Sequence, residues 1–582
     1  VTTADPGSYR GVALEPIASV RHRDELADVE RELAALDGVT VLVHDDRCAA
    51  EERRMRKRGT LPAVTERVVV NERVCEGCGD CGTASTCLSV QPVDTEFGRK
   101  TRIHQASCNS DLSCLKGDCP SFLLVEPRSP RRRAVPEPPS GLPEPVQRFT
   151  GDSVLLRMPG IGGTGVVTVS QILQMAAHLD GRCAAGLEQT GLAQKGGPVV
   201  SDVRIAKQPV RGAVRATRGT ADVLVGFDLL GTASEATLAA ARPGHTVAVV
   251  SSAVVPTAAM VTGRVPVPGS PAEALERIAA ATRGEDALHV DAQGLTEALF
   301  GDHMPANMLL VGAAFQHGCI PLSAEAVEEA IRLNGAAVEK TLAAFRWGRA
   351  AVADPGAVAA AVRPASGTPE RATGLAEVLA TRVADLTGYQ DARFAERYAD
   401  EVRRVAAVAR ERAGAEAGER LAVAYARGLH KLLAYKDEYE VARLHLDPAE
   451  QARRDAEFGP GADVSVLLHP PVLRALGMTR KIRLRRTAGP VFRALRAARG
   501  LRGTALDPFG RAEVRRVERA LVGEYQALVR DALAHLGPDT ADAVVEIAAL
   551  PDAVRGYEDI KLRNVAAFRE RAAAALAELT HP

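Results

Sequence analysis

The sequence predicts a multidomain chain, α/β followed by α: a small cysteine-rich module, a doubly wound α/β domain and a C-terminal helical domain. Three observations carry that prediction. Seven of the ten cysteines lie between Cys75 and Cys119. From Asp152 to about Trp347, apolar β-branched runs alternate with amphipathic stretches, the pattern of a parallel-rich sheet with helices on its faces. Beyond Tyr389, apolar residues recur with a period of about 3.6 residues and no fixed-length repeat, interrupted at Asp447-Pro448, Gly459-Pro460-Gly461, His469-Pro470-Pro471 and Asp507-Pro508.

A chain of 582 residues has room for several cores. Its 73 basic and 73 acidic residues cancel, so nothing global points to nucleic acid or an acidic membrane surface. No run of roughly 18 uninterrupted apolar residues is present, and no membrane-spanning helix is expected. The first residues, VTTADPGSYRGVALEP, lack the basic and apolar regions of a signal peptide. A cytoplasmic protein with reduced thiols is the resulting expectation. The chain opens on Val1 rather than Met, which we read as a hint of a fragment or an alternative start codon.

Residues 1–66 read as a charged amphipathic helix over 22–36 and a buried strand over 39–44, too little to close a core and so the tail of a larger fold. The basic run Arg53, Arg54, Arg56, Lys57 and Arg58 is read as a solvated helix end, with docking of an acidic partner as the alternative. Residues 67–127 form the cysteine module, spaced Cys75-x2-Cys78-x2-Cys81-x5-Cys87 and then Cys108-x5-Cys114-x4-Cys119-Pro120. Three cysteines at i, i+3 and i+6 wrap one corner of an iron–sulfur cube, and a distant Cys-Pro supplies the fourth thiolate, as in bacterial ferredoxins. Zinc is the alternative, although it favours two separated Cys-x2-Cys pairs. Cys75, Cys78, Cys81 and Cys119 make one complete 4Fe–4S ligand set. Cys87, Cys108 and Cys114 leave a second cluster one ligand short; Cys48, Asp118 or a partner subunit are the candidates to complete it. Residues 128–150 hold six prolines and read as an extended linker.

Within 151–350, strands are expected over 153–158, 198–205, 221–227 and 246–252, with a helix running to about His178. Gly160, Gly162, Gly163, Thr164 and Gly165 link the first strand to that helix. Backbone N–H groups and a helix N-terminus make such a loop an anion cradle. No acidic residue stands where a dinucleotide-binding fold clamps ribose, and a tight turn at a subunit interface is the competing reading. A second polar loop, 186–198, carries Lys195, Gly196 and Gly197. It is read either as a clamp for a carboxylate or phosphate or as an exposed hairpin. Residues 351–384 read as a linker and 385–582 as the helical domain. The polar clusters at 435–440 and 556–561 are read as solvated helix faces or i,i+4 pairs, and His430, His445 and His469 as packed or surface histidines.

Several of these segments resemble the indolepyruvate ferredoxin oxidoreductases in their long fused bacterial form. They are Val74-Cys75-Glu76-Gly77-Cys78-Gly79-Asp80-Cys81, Glu96-Phe97-Gly98-Arg99-Lys100-Thr101, Ser113-Cys114-Leu115-Lys116-Gly117-Asp118-Cys119-Pro120, the Gly160 loop, Lys195-Gly196-Gly197 and Phe345-Arg346-Trp347-Gly348-Arg349. The resemblance implies oxidative decarboxylation of an arylpyruvate with thiamine pyrophosphate and Mg, acyl transfer to coenzyme A, and one-electron transfer through 4Fe–4S clusters to ferredoxin. It implies that 151–350 is the gamma-type domain and 1–66 the end of a thiamine-binding domain. The sequence departs from the family in having no Gly-Asp-Gly motif, so no catalytic residue is assigned to this chain. The thiamine site is expected on another chain or lost by truncation, in an oligomeric enzyme. The alternatives are a subunit acting on another 2-oxo acid, a zinc-stabilised non-catalytic scaffold, and a nucleotide-dependent reductase using the Gly160 loop.

Overall fold

The computed structural model describes the 582 residues except Asp118, 129–134, 192–195, Gly263, 363–371, 469–480, Arg486 and 581–582. It divides into two compact units, Val1–Thr65 with Asn109–Asp111, and Glu66–Cys108 with Leu112–Pro582. Among the described residues no helix is long and apolar enough to cross a membrane.

The first unit holds three two-residue parallel strands, β1 (Thr2–Thr3), β2 (Arg21–His22) and β3 (His44–Asp45), in the order β2-β1-β3. His22 and Glu25 form a capping box that starts a short turn and then the helix Leu26–Ala34, within the helix expected over 22–36. The basic run lies on the helix Ala49–Lys57. The buried strand expected over 39–44 is corrected. Only His44 and Asp45 pair, and Val39 and Val41 are 97% and 76% exposed. Alternating β-branched residues favour extended backbone, but burial also needs a facing layer, which this unit does not give them.

The second unit is built around a six-stranded mixed sheet. Its strands are β8 (Ser153–Ile161), β9 (Cys183–Thr190), β10 (Pro198–Ala206), β11 (Val223–Gly226), β12 (Val247–Ser251) and β13 (Leu288–Val290), in the order β13-β12-β11-β8-β10-β9. β8, β11, β12 and β13 run parallel, whereas β10 is antiparallel to both β8 and β9. Alternate residues of one strand feed opposite faces. Val223 and Val225 pack with the helices Val166–Leu179, Ala306–Gln316 and Ala324–Asn334, while Leu224 packs with Leu229 and Ile278 on the other side. Helices on both faces agree with the expected doubly wound α/β domain. Of the polar loop expected over 186–198, residues up to Thr190 lie in the edge strand β9, which pairs antiparallel with β10.

The linker expected over 128–150 has no helix or strand among its described residues and is tied down by hydrogen bonds. Trp347 Nε1 donates to the Pro136 carbonyl at 3.1 Å, Gln316 to Pro143 at 2.8 Å, and Arg148 Nε to His317 at 2.7 Å. The α/β domain runs past Trp347 to the helix Val338–Ala353, and Pro355–Ala361 is also helical, so the expected linker over 351–384 is partly helix.

The region read as wholly helical contains two strands. β14 (Asp463–Leu468) and β15 (Ile482–Leu484) join β4 (Arg67–Val70) and β7 (Phe122–Glu126) of the cysteine module in one antiparallel sheet, β15-β14-β7-β4. Val69, Leu123 and Val125 then share a core with Phe458, Val466 and Phe492. The remaining helices, among them Leu375–Tyr389, Glu513–Ala534 and Glu558–Thr580, pack around buried Tyr389, Tyr398, Tyr425 and Tyr525. Helical residues 392–433 break at Gly414, whose φ of 82° reverses the chain so that Tyr398 Oη reaches the Ala426 carbonyl at 2.9 Å.

A close helix crossing lies in the α/β domain. A Cβ on Gly348 would stand 1.9 Å from the Leu309 carbonyl oxygen, and one on Gly312 would stand 2.0 Å from that of Phe345. Gly348→Ala must therefore push Val338–Ala353 away from Ala306–Gln316. It is expected to lower stability by about 1–3 kcal/mol. Chemical denaturation followed by fluorescence checks this directly, because the single tryptophan, Trp347, is buried on the same helix. An unchanged midpoint would show that the crossing has slack.

Candidate functional site

The cysteine module begins where β4 ends. Asn71 Oδ1 accepts from the backbone N–H groups of Arg73 (3.0 Å) and Val74 (3.2 Å), and Cys75 N–H donates to the Asn71 carbonyl at 2.9 Å. This turn launches Cys75 to Cys81 as a loop that closes into the short helix Asp80–Ser85. Gly77 and Gly79 take positive φ there, and a Cβ on Gly77 would lie 2.2 Å from the Arg99 carbonyl oxygen. Gly77 N–H turns onto Cys75 Sγ at 3.2 Å. The second cysteine stretch packs on the first, since a Cβ on Gly117 would meet the Cys81 Cα at 3.1 Å. Cys114 and Cys75 are buried in one apolar cluster, with Cys81, Cys87, Cys108 and Cys119 packed against it.

The structure thus brings Cys75, Cys78, Cys81 and Cys119 together. Burial pushes the Cys81 thiol well up, and the neighbouring Cys75, Cys119, Cys78 and Cys114 add to the effect. Burial likewise pushes Cys78 up to about 11 and raises Cys119, which lies 3.0 Å from Ser121 Oγ. None of the ten cysteines forms a disulfide. Among the described residues, the one set of three His, Cys, Asp or Glu ligand atoms within 4.8 Å of one another is His104, Glu297 and His303, so no three thiols are packed that closely. A tetrahedral zinc site holds its sulfurs only about 3.8 Å apart, from Zn–S bonds near 2.3 Å. An iron–sulfur cube places one thiolate outside each corner and needs a wider ring. These crowded thiols, no three of them within 4.8 Å of one another, do not have the close spacing of a zinc set, and their number and clustering suit a cube. Cys48 belongs to the first unit and is exposed there, and Asp118 lies outside the described residues.

A polar collar that sequence reasoning missed grips this loop. Lys436 Nζ donates to the Val74 and Cys75 carbonyls at 3.1 and 2.9 Å, Lys100 Nζ to Cys75 at 2.9 Å, and Tyr557 Oη to Val74 at 2.6 Å. Glu76 is buried, with Lys436 at 2.5 Å and Lys561 at 3.8 Å; Lys561 bridges onward to Glu518 at 2.9 Å. Burial alone would raise the Glu76 carboxyl, but Lys436, Lys561 and Lys100 outweigh it and hold it below the usual carboxylate range. Burial drives Lys100 well down, with Lys436 adding to the effect. The clusters at 435–440 and 556–561 are therefore corrected from solvated faces to buried contacts. Their signal in the sequence was the mix of Tyr with paired charges, which also suits a polar interior. The Glu96-Phe97-Gly98 motif caps the hairpin of β5 (Val90–Thr95) and β6 (Gly98–Ile103). There the Arg73 and Arg382 guanidinium carbons stand 3.7 and 4.4 Å from the Phe97 ring centroid.

The two glycine loops meet. Gly162 N–H donates to the Gly197 carbonyl at 2.7 Å, and Asn307 Nδ2 holds the Thr164 carbonyl and hydroxyl at 3.2 and 3.3 Å. Gly163 and Gly165 have positive φ, and Gly165 caps the helix Val166–Leu179. Gly160 is closed in, with a Cβ position 2.6 Å from Val166 Cγ2. The loop stands at the C-terminal end of β8, between a parallel and an antiparallel neighbour, where open α/β sheets bind ligands. β9 runs parallel to β8 but one place removed, with β10 between them. A βαβ unit with its ribose-binding acid on the adjacent strand is therefore not formed. Lys195 lies outside the described residues. Gly196 touches the cysteine module, since a Cβ there would lie 1.9 Å from Leu88 Cδ1. Gly82 packs on Val261 in the same way, its Cβ position 2.9 Å from the carbonyl oxygen.

Residues 156–351, which cover nearly all of the α/β domain, match the family model described as Pyruvate ferredoxin/flavodoxin oxidoreductase. Residues 375–574 match a model described as a Family of unknown function, DUF6537. No curated protein matches the chain significantly. Among solved structures, the chain is similar to the gamma subunit of a keto/oxoacid ferredoxin oxidoreductase from Geobacter sulfurreducens PCA (22% identity over 34% of this chain and 95% of that one, TM-score 0.25). A pyruvate oxidoreductase subunit, PORC, from Thermotoga maritima gives 18% identity over 34% and 96%, with a TM-score of 0.26. A 2-oxoglutarate:ferredoxin oxidoreductase from Magnetococcus marinus gives 16% identity over 41% and 38%, with a TM-score of 0.25.

Behind the cysteine loops lie two buried histidines. His445 Nε2 is 3.0 Å from the Pro120 carbonyl and its ring stacks on Phe492 at 5.2 Å, while His430 Nε2 is 3.1 Å from Asp385. Burial lowers both, His445 to about 4 and His430 to about 4, the latter despite the Asp385 carboxylate. The unfolded chain binds these protons near pH 6.5 and the folded chain only near pH 4. Their stabilisation is thus complete above 6.5 and lost as pH falls to 4, by up to about 3 kcal/mol per imidazole. The unfolding midpoint is expected to fall across that window, and His445→Gln to flatten the slope. Parallel profiles in both chains would show that folded His445 already carries its proton.

Proposed function

We propose that this chain is the electron-transfer and gamma portion of an indolepyruvate:ferredoxin oxidoreductase. The enzyme would oxidatively decarboxylate an arylpyruvate to its acyl-coenzyme A with reduction of ferredoxin. One observation carries the reading: Cys75, Cys78, Cys81 and Cys119 gather in one cluster, Cys75 buried and the others part-buried, in a module packed against a domain that matches the pyruvate ferredoxin/flavodoxin oxidoreductase model. These four would hold one 4Fe–4S cluster, and Cys87, Cys108 and Cys114 would contribute to a second. Once bound, such clusters supply single-electron steps between a thiamine site and ferredoxin.

The chain's own residues define the surroundings of that relay. Gly77 N–H offers Cys75 Sγ a hydrogen bond, which favours added negative charge at that thiolate and so biases the potential upward. Lys436 and Lys561 are charge-balanced by Glu76 and Glu518, so they fix the loop without adding net charge. The rigid collar on Val74 and Cys75 limits reorganisation on electron transfer. Gly163, Thr164 and Gly165, with Gly160, Gly162, Gly196 and Gly197 behind them, form the cradle we assign to an anionic group of coenzyme A; Lys195 belongs to the same loop. Thiamine pyrophosphate and Mg would come from another chain or a region outside these 582 residues, because no Gly-Asp-Gly occurs here.

Iron, acid-labile sulfide and zinc per chain after anaerobic purification test the proposal. About four or about eight irons with matching sulfide are expected. Cys78→Ala and Cys119→Ala should each lose about one cluster's iron, and Cys183→Ala, on β9, should lose none. Zinc without sulfide would overturn the reading. The chain supplied only with thiamine pyrophosphate, coenzyme A and indolepyruvate should not reduce ferredoxin; if it does, the assignment of the thiamine site to a partner is wrong.

A further inference from the structure

His104, Glu297 and His303 converge where the cysteine module meets the α/β domain, with their ligand atoms all within 4.8 Å of one another. His104 follows directly on β6. Glu297 lies on the helix Ala292–Phe300, and Gly301, with φ 65°, ends that helix and turns the chain so that His303 comes back beside Glu297. The two imidazole centroids are 5.2 Å apart, and His104 Nε2 is 2.7 Å from Glu297 Oε1. The donors are also oriented from behind. Ser107 Oγ lies 2.9 Å from His104 Nδ1 and itself donates to Ser89 Oγ at 2.9 Å, so Nε2 is the nitrogen that faces the carboxylate. Gln293 Nε2 donates to Glu297 Oε1 at 3.0 Å.

We propose that His104, Glu297 and His303 form a binding site for a divalent transition ion of the zinc class, which pins the cysteine module to the α/β domain. Two imidazoles and one carboxylate are a donor set that zinc and its neighbours favour, and a hydrogen bond on the far ring nitrogen is how a metal-binding histidine is held. A tetrahedral ion spaces nitrogen and oxygen ligands roughly 3.3 Å apart, within the span these three atoms already occupy. All three side chains are only partly buried, which leaves a fourth position open to water. The site is separate from the thiols: it offers no sulfur, and it joins segments 193 residues apart in the chain.

The test is zinc binding to the full-length, cluster-loaded chain after removal of adventitious metal, with iron and sulfide measured before and after. The expected result is one tightly held zinc per chain with iron unchanged, and a zinc-edge absorption spectrum showing nitrogen and oxygen neighbours only. Glu297→Gln, nearly isosteric and able to keep the Gln293 and His104 contacts, should weaken zinc binding at least tenfold, as should His303→Ala. Cobalt in place of zinc should give ligand-field bands without sulfur charge-transfer absorption. Sulfur in the zinc shell, equal zinc affinity in the parent and both variants, or no zinc retained by the parent chain would each overturn the proposal.

Discussion

A buried carboxylate organises the centre of the second unit. Glu76 stands between two cysteines of the Cys75–Cys81 loop, in a place where an unpaired charge would be far too costly. It persists because Lys436 and Lys561, from two separate parts of the C-terminal region, reach in to meet it, and Lys561 is balanced in turn by Glu518. The same Lys436 and Tyr557 hold the carbonyls on either side of the loop's start. Cysteine loop and helical region therefore depend on each other. The loop has its shape only when the helices are in place, and the lysines are satisfied only when the loop is.

That dependence decides what the sequence can and cannot reveal. The cysteine spacing, the Gly160 turn and the strands around β8, β10, β11 and β12 were legible because each is local. A few residues at fixed spacing dictate a turn or a strand regardless of what lies far away. The long-range features were not. β14 and β15 are short, and β14, flanked by glycine and proline, is extended because β7 offers it an edge, as β14 in turn does for β15. Lys436 and Lys561 look like surface charges in any window of ten residues. His104 and Glu297 are 193 residues apart, and nothing near either names the other.

The errors share a physical cause. Val39 and Val41 have strand propensity, and they lie exposed because propensity does not supply a facing layer. Tyr435–Glu440 has the composition of a solvated helix start, and it is buried because a cysteine loop supplies carbonyls and a carboxylate for it to bind. Residues 186–190 have the polar composition of a loop, and they lie in a strand because β10 pairs with β9 along eight residues. In each case the local pattern was compatible with two states and a distant partner chose between them.

The cysteine module is therefore not a bead on a string. Its sheet takes two strands from beyond residue 460, its loop takes hydrogen bonds from Lys436 and Tyr557, and its far side meets Val261, Gly196 and Glu297 of the α/β domain. In the role we propose, passing single electrons over a fixed distance, the module gains from such anchoring, because a freely moving one would spend much of its time out of range. Small loop-rich modules also lack the apolar area to be stable alone. Here the shortfall is met on three sides by the rest of the chain, so the position of the thiols is set by the same contacts that keep the module folded.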